Sequence, residues 1–264
     1  MTPETRARAA ALLLAARRER RPLSALPAEY RPRTLADGYG IQSAWITAAG
    51  GRVVGFKIGA TSRKAQEYLG IAEPFYGCIL DDVVFDSPAA LSAGDYLFRL
   101  IEPEFALRLG RDLPPRPGGY TMNDLARAVN AVHPALEVVN SAYGAAWTDA
   151  GALALIADNG VNAALVLGPA TADWHGFDLA THAVTFRRNN EEVGCGVGGH
   201  ALGHPLAALA WLADQDVCGG RGLKAGDIVT TGVVTPFVHA EAGDDLTADF
   251  GSLGKVRLRF TTGS

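Results

Sequence analysis

Apolar positions recur at two periods along this chain, and the change from one to the other divides it. Thr2 can cap a helix, Pro3 suits its first turn, and Leu12, Leu13 and Ala16 recur at helical spacing before Pro22. A proline-rich connection, Pro22 to Pro32, leads to a second helical pattern over Thr34 to Ala49, anchored by Tyr39, Ile41, Trp45 and Ile46. After Gly50-Gly51 short β-like runs predominate. The pattern predicts strands at Arg52–Ile58, Cys78–Phe85, Tyr96–Leu109, Pro134–Val139 and Asn162–Leu167. It predicts a hairpin over Val184–Val193 turning at Asn189-Asn190, and closing strands at Asp227–Val233, Leu246–Phe250 and Lys255–Thr261. Helices interrupt at Ser62–Leu69, stopped by Gly70, at Thr121–Ala131 behind a capping-box-like Thr-Met-Asn-Asp, and at Pro205–Val217. There is no regular βαβ alternation and no internal repeat. The expected class is α+β: an N-terminal helical segment, 1–51, followed by a β-rich body, 52–264.

Charged residues inside the apolar runs are the first chemical signal. In Arg99-Leu100-Ile101-Glu102-Pro103-Glu104-Phe105-Ala106-Leu107, strand alternation puts Glu102 and Glu104 on one face and Ile101, Phe105 and Leu107 on the other. Two carboxylates flanked by apolar residues resist desolvation unless a cation lies between them, and a hard divalent ion with oxygen ligands suits that place. The plainer alternative is a solvent-facing edge strand. Glu137, alone in Ala135-Leu136-Glu137-Val138-Val139, is either a third oxygen ligand or one half of a salt bridge. Lys57, in Val54-Gly55-Phe56-Lys57-Ile58-Gly59, is the matching cation, paired structurally or aimed at an anionic substrate.

Composition narrows the field. Of 264 residues, 48% are hydrophobic and 20% charged, enough for a substantial core, and a net charge of -4 leaves no basic footprint for nucleic acid. Cys78, Cys195 and Cys218 have no metal-like spacing and suggest a reducing compartment. The apolar stretch Ala9–Ala16 has arginines on both sides and no cleavage site after it, and no run is long enough to span a bilayer, so a cytoplasmic protein is expected. Gly194-Cys195-Gly196-Val197-Gly198-Gly199 satisfies G-x-G-x-x-G, but a hairpin precedes it and the helix opens only near Pro205, which excludes the dinucleotide reading. His200 and His204 have the spacing of a helical metal pair, yet Gly203 and Pro205 flank the second, which argues against zinc. No P-loop and no G-x-S-x-G elbow occurs.

Ordered blocks then carry a resemblance. Lys57-Ile58-Gly59-Ala60-Thr61, Leu69-Gly70, Tyr76-Gly77, Ile101-Glu102-Pro103-Glu104, Pro134 to Val139, Ala157-Asp158-Asn159, Arg188 to Val193, Leu202 to Leu206, Gly226 to Val229, Thr231-Gly232 and Gly254-Lys255-Val256 occur in order. Together they resemble the 2-keto-4-pentenoate hydratases and 4-oxalocrotonate decarboxylases of the fumarylacetoacetate hydrolase superfamily, over roughly Tyr39 to Phe260.

The resemblance implies a β-rich fold of that superfamily, Mg²⁺ or Mn²⁺ held by Glu102, Glu104 and Glu137, and a homo-oligomer, a dimer or an assembly of dimers. It further implies Lys57 and Asp82 as catalytic groups, and Ile58, Gly59, Tyr76, Asp158, Asn159 and Thr231 around the substrate. That substrate would be a small 2-hydroxy-2,4-dienoate or its 2-oxo tautomer, chelating the ion through its C1 carboxylate and C2 oxygen. Hydration to a 4-hydroxy-2-oxo acid is the first reading and 4-oxalocrotonate-type decarboxylation the second. A non-catalytic partner subunit or 2-oxo-acid-binding protein is the alternative from another class, and an acylpyruvate-type C–C hydrolase fits the C-terminal blocks less well. Three departures bear on the choice. Phe75 stands where hydratases of the family carry an acid, Asn140-Ser141-Ala142 stands where Asp-Ser-Arg is usual, and Pro103 separates the two glutamates.

Overall fold

In the computed structural model, which describes residues 1–262, both early helices begin at the threonines that the sequence offers as caps. Thr2 and Thr34 accept the backbone N–H groups of Thr5 and Asp37, satisfying open donors of the first turn. α1 (Pro3–Glu19) and α2 (Leu35–Ala49) share a small core, in which Ala9, Leu13, Ile41 and Trp45 meet Leu80, Ala142 and Ala157 of the body. The last two residues of the expected 52–264 body, Gly263 and Ser264, lie outside the described residues.

The body's helices are α3 (Arg63–Leu69), α4 (Met122–Ala126), α5 (Ala152–Ala157) and α6 (Pro205–Ala213). Its strands are β1 (Val53–Gly59), β2 (Phe75–Leu80), β3 (Val84–Asp86), β4 (Ala89–Ser92), β5 (Leu100–Leu109), β6 (Val129–Val139) and β7 (Asn162–Leu167), then β8 (Ala183–Arg188), β9 (Glu191–Val197), β10 (Ile228–Thr230), β11 (Val238–His239), β12 (Asp245–Asp249) and β13 (Lys255–Thr261). The larger sheet runs β2-β1-β10-β5-β6-β7-β3, with β11 also on β5; the smaller runs β4-β13-β12-β8-β9.

Several boundaries differ from the sequence pattern, each for a local reason. The run expected as one strand over Cys78–Phe85 is broken by a turn at Asp81–Val83, where two adjacent exposed aspartates stay in solvent. The capping box at Thr121 forms, but the helix ends at Ala126, because from Val129 the β-branched residues pair with β5. The strand expected from Tyr96 starts at Leu100, and the helix expected to reach Val217 stops at Ala213. α5, β4 and β11 have no counterpart in the sequence reading.

Register decides which side chains meet. Glu102 lies directly across from Glu137, Lys57 across from Thr230, and Thr230 across from Ala106, which shares the face of Glu104. One face of the larger sheet therefore carries Lys57, Glu102, Glu104, Glu137 and Thr230. The other carries Phe56, Ile58, Tyr76, Ile101, Phe105, Leu136 and Val138, which pack against α6 and against Phe186, Leu246, Val256 and Leu258 of the smaller sheet. The larger sheet curls until β2 lies against β7, enclosing the charged face. On that face Ile79, Ala106, Ala135, Leu165, Leu167 and Ile228 form a separate buried apolar cluster.

A turn, Asn159–Val161, packs against β2 at this closure. The Asn159 side chain pairs with both backbone groups of Cys78, accepting its N–H at 2.8 Å and donating to its carbonyl at 2.9 Å. It does for β2 what a neighbouring strand would do. Asn159, Gly160 and Val161 all have left-handed backbones, with φ of 55°, 59° and 60°. For the β-branched Val161 that conformation is strained and needs surrounding structure to hold it.

Candidate metal centre

Glu102, Glu104 and Glu137 each offer an oxygen within 4.8 Å of the others, from two neighbouring antiparallel strands. Glu104 and Glu137 are fully buried, and Glu102 is half-buried. Among the described residues, each of the two buried carboxylates has one oxygen held and one without a partner. Gly232 N–H donates to Glu104 Oε2 at 2.7 Å, while Glu104 Oε1 has no partner. Glu137 Oε1 accepts from Asn162 Nδ2 at 3.0 Å and lies 3.3 Å from Lys57 Nζ, while Glu137 Oε2 has no partner. Buried oxygens left unpaired cost about 1–3 kcal/mol each, so two of them in one acidic cluster call for a missing partner.

Charge arithmetic gives that partner its sign. Three carboxylates against one ammonium leave two negative charges, which a single divalent cation cancels. The residues present therefore fit a hard cation with oxygen ligands, the case set out from Glu102 and Glu104 in the sequence.

Electrostatics agree with the geometry. Burial pushes the Glu102 carboxyl up to about 7, with the neighbouring Lys57 opposing and Glu137 adding to the shift. Burial, then Glu137 and Glu102, hold Glu104 well above the usual carboxylate range. Burial works against the charge on Lys57, but Glu137, Glu102 and Glu104 outweigh it and raise the ammonium above its ordinary value. Without a metal, the cluster thus keeps protons near neutrality. Between the ordinary 4.5 and about 7, folded Glu102 retains a proton that the unfolded chain has released. Its contribution to stability is complete below that window and is lost as pH rises through 7. A bound cation needs the ionised form and reverses the trend. The gap in melting temperature between Mg²⁺-saturated and chelator-treated protein is therefore expected to widen from pH 5.5 to pH 8. A gap that does not change with pH would contradict this coupling.

Of the other expected site residues, Gly59 lies on the charged face and the rest do not. Tyr76 and Ile58 belong to the opposite face of the sheet; Tyr76 stacks on Tyr39 with ring centroids 4.5 Å apart, and Ile58 is in the core. Thr231 is buried with its hydroxyl on the Phe105 carbonyl, 3.1 Å away. Asn159 is occupied by Cys78, as above. Asp158 is fully buried and bound by Arg17 Nε, the Ser141 hydroxyl and the Ala142 N–H, all at 2.8 Å. Asp82 is exposed in the turn after β2 and borders a cleft of about 270 Å³ with Arg17, Arg18 and Trp45. Gly59 is on the charged face, and a side chain there would strike the Phe75 ring.

Phe75 lines the centre. It shares the face of Lys57 on β2, is buried, and its ring centroid lies 5.8 Å from Lys57 Nζ. Asn140, in the other departure from the resemblance, accepts the N–H groups of Leu97 and Phe98 and so fixes the approach to β5.

Four residues at or behind this cluster were not singled out as site residues in the sequence. Thr230, one residue before Thr231, has a buried hydroxyl on the face of Lys57 with no partner among the described residues. Alternation within Ile228-Val229-Thr230 could have placed it. Asn162 is a polar first residue in an otherwise apolar strand, a signal present but not weighed. Gly232 acts through its backbone, and Arg17 is one of several arginines on α1, so neither carries a local signal.

The fumarylacetoacetate (FAA) hydrolase C-terminal family profile matches residues 98–261. The chain is 36% identical to 2-keto-4-pentenoate hydratase 2 of Dechloromonas aromatica over 98% of each chain. It is 34% identical to the 2-keto-4-pentenoate hydratase of Paraburkholderia xenovorans over 98% of this chain and 96% of that one. Among solved structures it resembles the 4-oxalocrotonate decarboxylase of Pseudomonas putida G7 complexed with magnesium and adipate. That match has a TM-score of 0.91 and 27% identity, over 98% of both chains. Among the described residues, no helix is long and apolar enough to cross a membrane.

Proposed function

The chain belongs to the 2-keto-4-pentenoate hydratase family of the fumarylacetoacetate hydrolase superfamily, and from that premise we propose a divalent-metal-dependent lyase acting on a small 2-hydroxy-2,4-dienoate or its 2-oxo tautomer. The observation that carries the reading is the pair of unpartnered buried oxygens on Glu104 and Glu137 beside Glu102 and Lys57. Mg²⁺ or Mn²⁺ would be held by Glu102, Glu104 and Glu137, where it would supply Lewis-acid polarisation of a 2-oxo acid.

The chain's own groups then have separable tasks. Gly232 N–H and the Asn162 amide each hold one carboxylate oxygen and leave the other aimed into the centre. Lys57 Nζ, kept charged by its acidic neighbours, neutralises a substrate carboxylate or holds the proton that moves along the conjugated chain. The Thr230 hydroxyl is free to bond a substrate oxygen. The Phe75 ring forms an apolar wall beside Lys57 and keeps water from that side.

Hydration to a 4-hydroxy-2-oxo acid is the first reading, supported by the named activity of full-length relatives at 34–36% identity. Phe75 favours a second, decarboxylation of a 4-oxalocrotonate-type acid, since an apolar wall supplies no group to orient water. Incubation with Mg²⁺ and either 2-hydroxypenta-2,4-dienoate or 4-oxalocrotonate separates them: hydrated product supports the first and CO₂ release the second. Metal uptake with neither product would leave the partner subunit. Phe75→Asp is expected to raise hydration roughly 10²- to 10⁴-fold, the scale of a placed general acid or base. An unchanged hydration rate, read by loss of dienoate absorbance, would remove Phe75 from the choice of reaction.

A further inference from the structure

Arg17 lies on α1, outside the body, yet its guanidinium holds both ends of the strained turn Asn159–Val161. Nε donates to Asp158 Oδ1 at 2.8 Å, Nη2 to the Asp158 carbonyl at 2.7 Å and Nη1 to the Asn162 carbonyl at 2.6 Å. Residues 158 and 162 flank three consecutive left-handed residues. The turn contributes to the centre at two points. Asn162, at its end, donates to Glu137 Oε1, and a Cβ at Gly160 would come 3.3 Å from Lys57 Cδ, so the backbone there walls the lysine stem. Arg17 itself is packed over the Trp45 ring, 5.4 Å from its centroid, and its side chain is only 10% exposed. The clamp is therefore held in place from α1 and α2.

We propose that Arg17 is a positioning residue of the metal centre: by bridging Asp158 and Asn162 it fixes the strained turn and so sets Glu137, through Asn162, for its cation. A planar fork with several donors can span the two ends; a single ammonium cannot. The inference rests on the metal-centre reading above, and its test reads metal affinity rather than turnover.

The test is calorimetric titration of Mn²⁺ into the full-length protein and its variants, with melting in chelator recorded alongside. Arg17→Lys keeps a charge beside Asp158 and is expected to fold, yet to bind Mn²⁺ about tenfold more weakly, the scale seen when partners behind a ligand are lost. Asn162→Ala is expected to weaken binding similarly. The double variant is expected to be no weaker than the poorer single one, because both act on one path to Glu137. Arg20→Met, which removes a contact at the Gly94 carbonyl and Asp95 made from the residue just after α1, is expected to leave Mn²⁺ affinity unchanged. A folded Arg17→Lys with unaltered affinity, or fully additive losses in the double variant, overturns the clamp. If Arg17→Lys does not fold, unaltered affinity in Asn162→Ala overturns it instead. Failure of the unaltered protein to take up Mn²⁺ would sink the metal reading and the clamp with it.

Discussion

Glu104→Gln should abolish uptake of Mn²⁺ or Mg²⁺ and lower turnover on the order of 10³-fold, with the fold intact. The asymmetry of the two carboxylate oxygens explains why. Gly232 N–H donates to Oε2, and a glutamine oxygen can accept that bond in the same place. The amide nitrogen then falls where Oε1 now stands without a partner. A lone pair aimed into the centre is replaced by two donors, which no cation can use. Lewis-acid stabilisation worth several kcal/mol disappears, and each 1.4 kcal/mol or so is a factor of ten in rate. Stability should hardly change in the metal-free state, because burial already keeps Glu104 protonated well above the usual range and glutamine resembles that form. Calorimetry, activity and melting in chelator read the three effects. Activity that survives in this variant and also in chelator-treated protein would mean the centre has been wrongly placed.

The parts of this centre that were legible in the sequence are those governed by strand alternation alone. Glu102 and Glu104 are two apart on β5 and face the same way, as the period of two requires. Glu137 and Lys57 stood out as charges in apolar runs, and register brings both to that face. Tyr76 and Thr231 were named from the resemblance and not from alternation, and the register puts Thr230, Phe75 and Gly77 on the face of Lys57. On a strand a shift of one residue exchanges one face for the other. Asp158 and Asn159 are held by contacts of another kind. A polar residue beside an active strand looks the same in sequence whether it meets a ligand or a distant backbone. Here Asn159 meets Cys78, 81 positions away, and Asp158 meets Arg17, 141 positions away. Such pairings are set by how the sheet curls and where α1 docks, and no local pattern records them. The helix after Thr121 shows tertiary context overriding a sound local signal, since its capping box forms and the chain still turns to strand by Val129.

Lys57→Met is the variant expected to separate the charge balance of the centre from its chemistry. The ammonium is 3% exposed, 3.3 Å from Glu137 Oε1, and is the cation set among the three carboxylates. Methionine fills most of its volume between Phe75 and Gly160 but returns no charge. Breaking a buried pair from one side costs about 3–5 kcal/mol, because the remaining charge is stranded. For a chain of this size that lowers the melting temperature by roughly 10 °C in chelator. Saturating Mg²⁺ should recover much of the loss, since binding to the folded state alone adds stability that grows as the logarithm of one plus the ratio of Mg²⁺ concentration to Kd. Turnover should not return with it. A group that neutralises substrate or holds a moving proton is worth roughly 10²- to 10⁴-fold, and a bound cation cannot replace it. Stability rescued by metal while the rate stays low would assign Lys57 both tasks. Wild-type melting in chelator together with wild-type turnover under Mg²⁺ would leave its charge with neither.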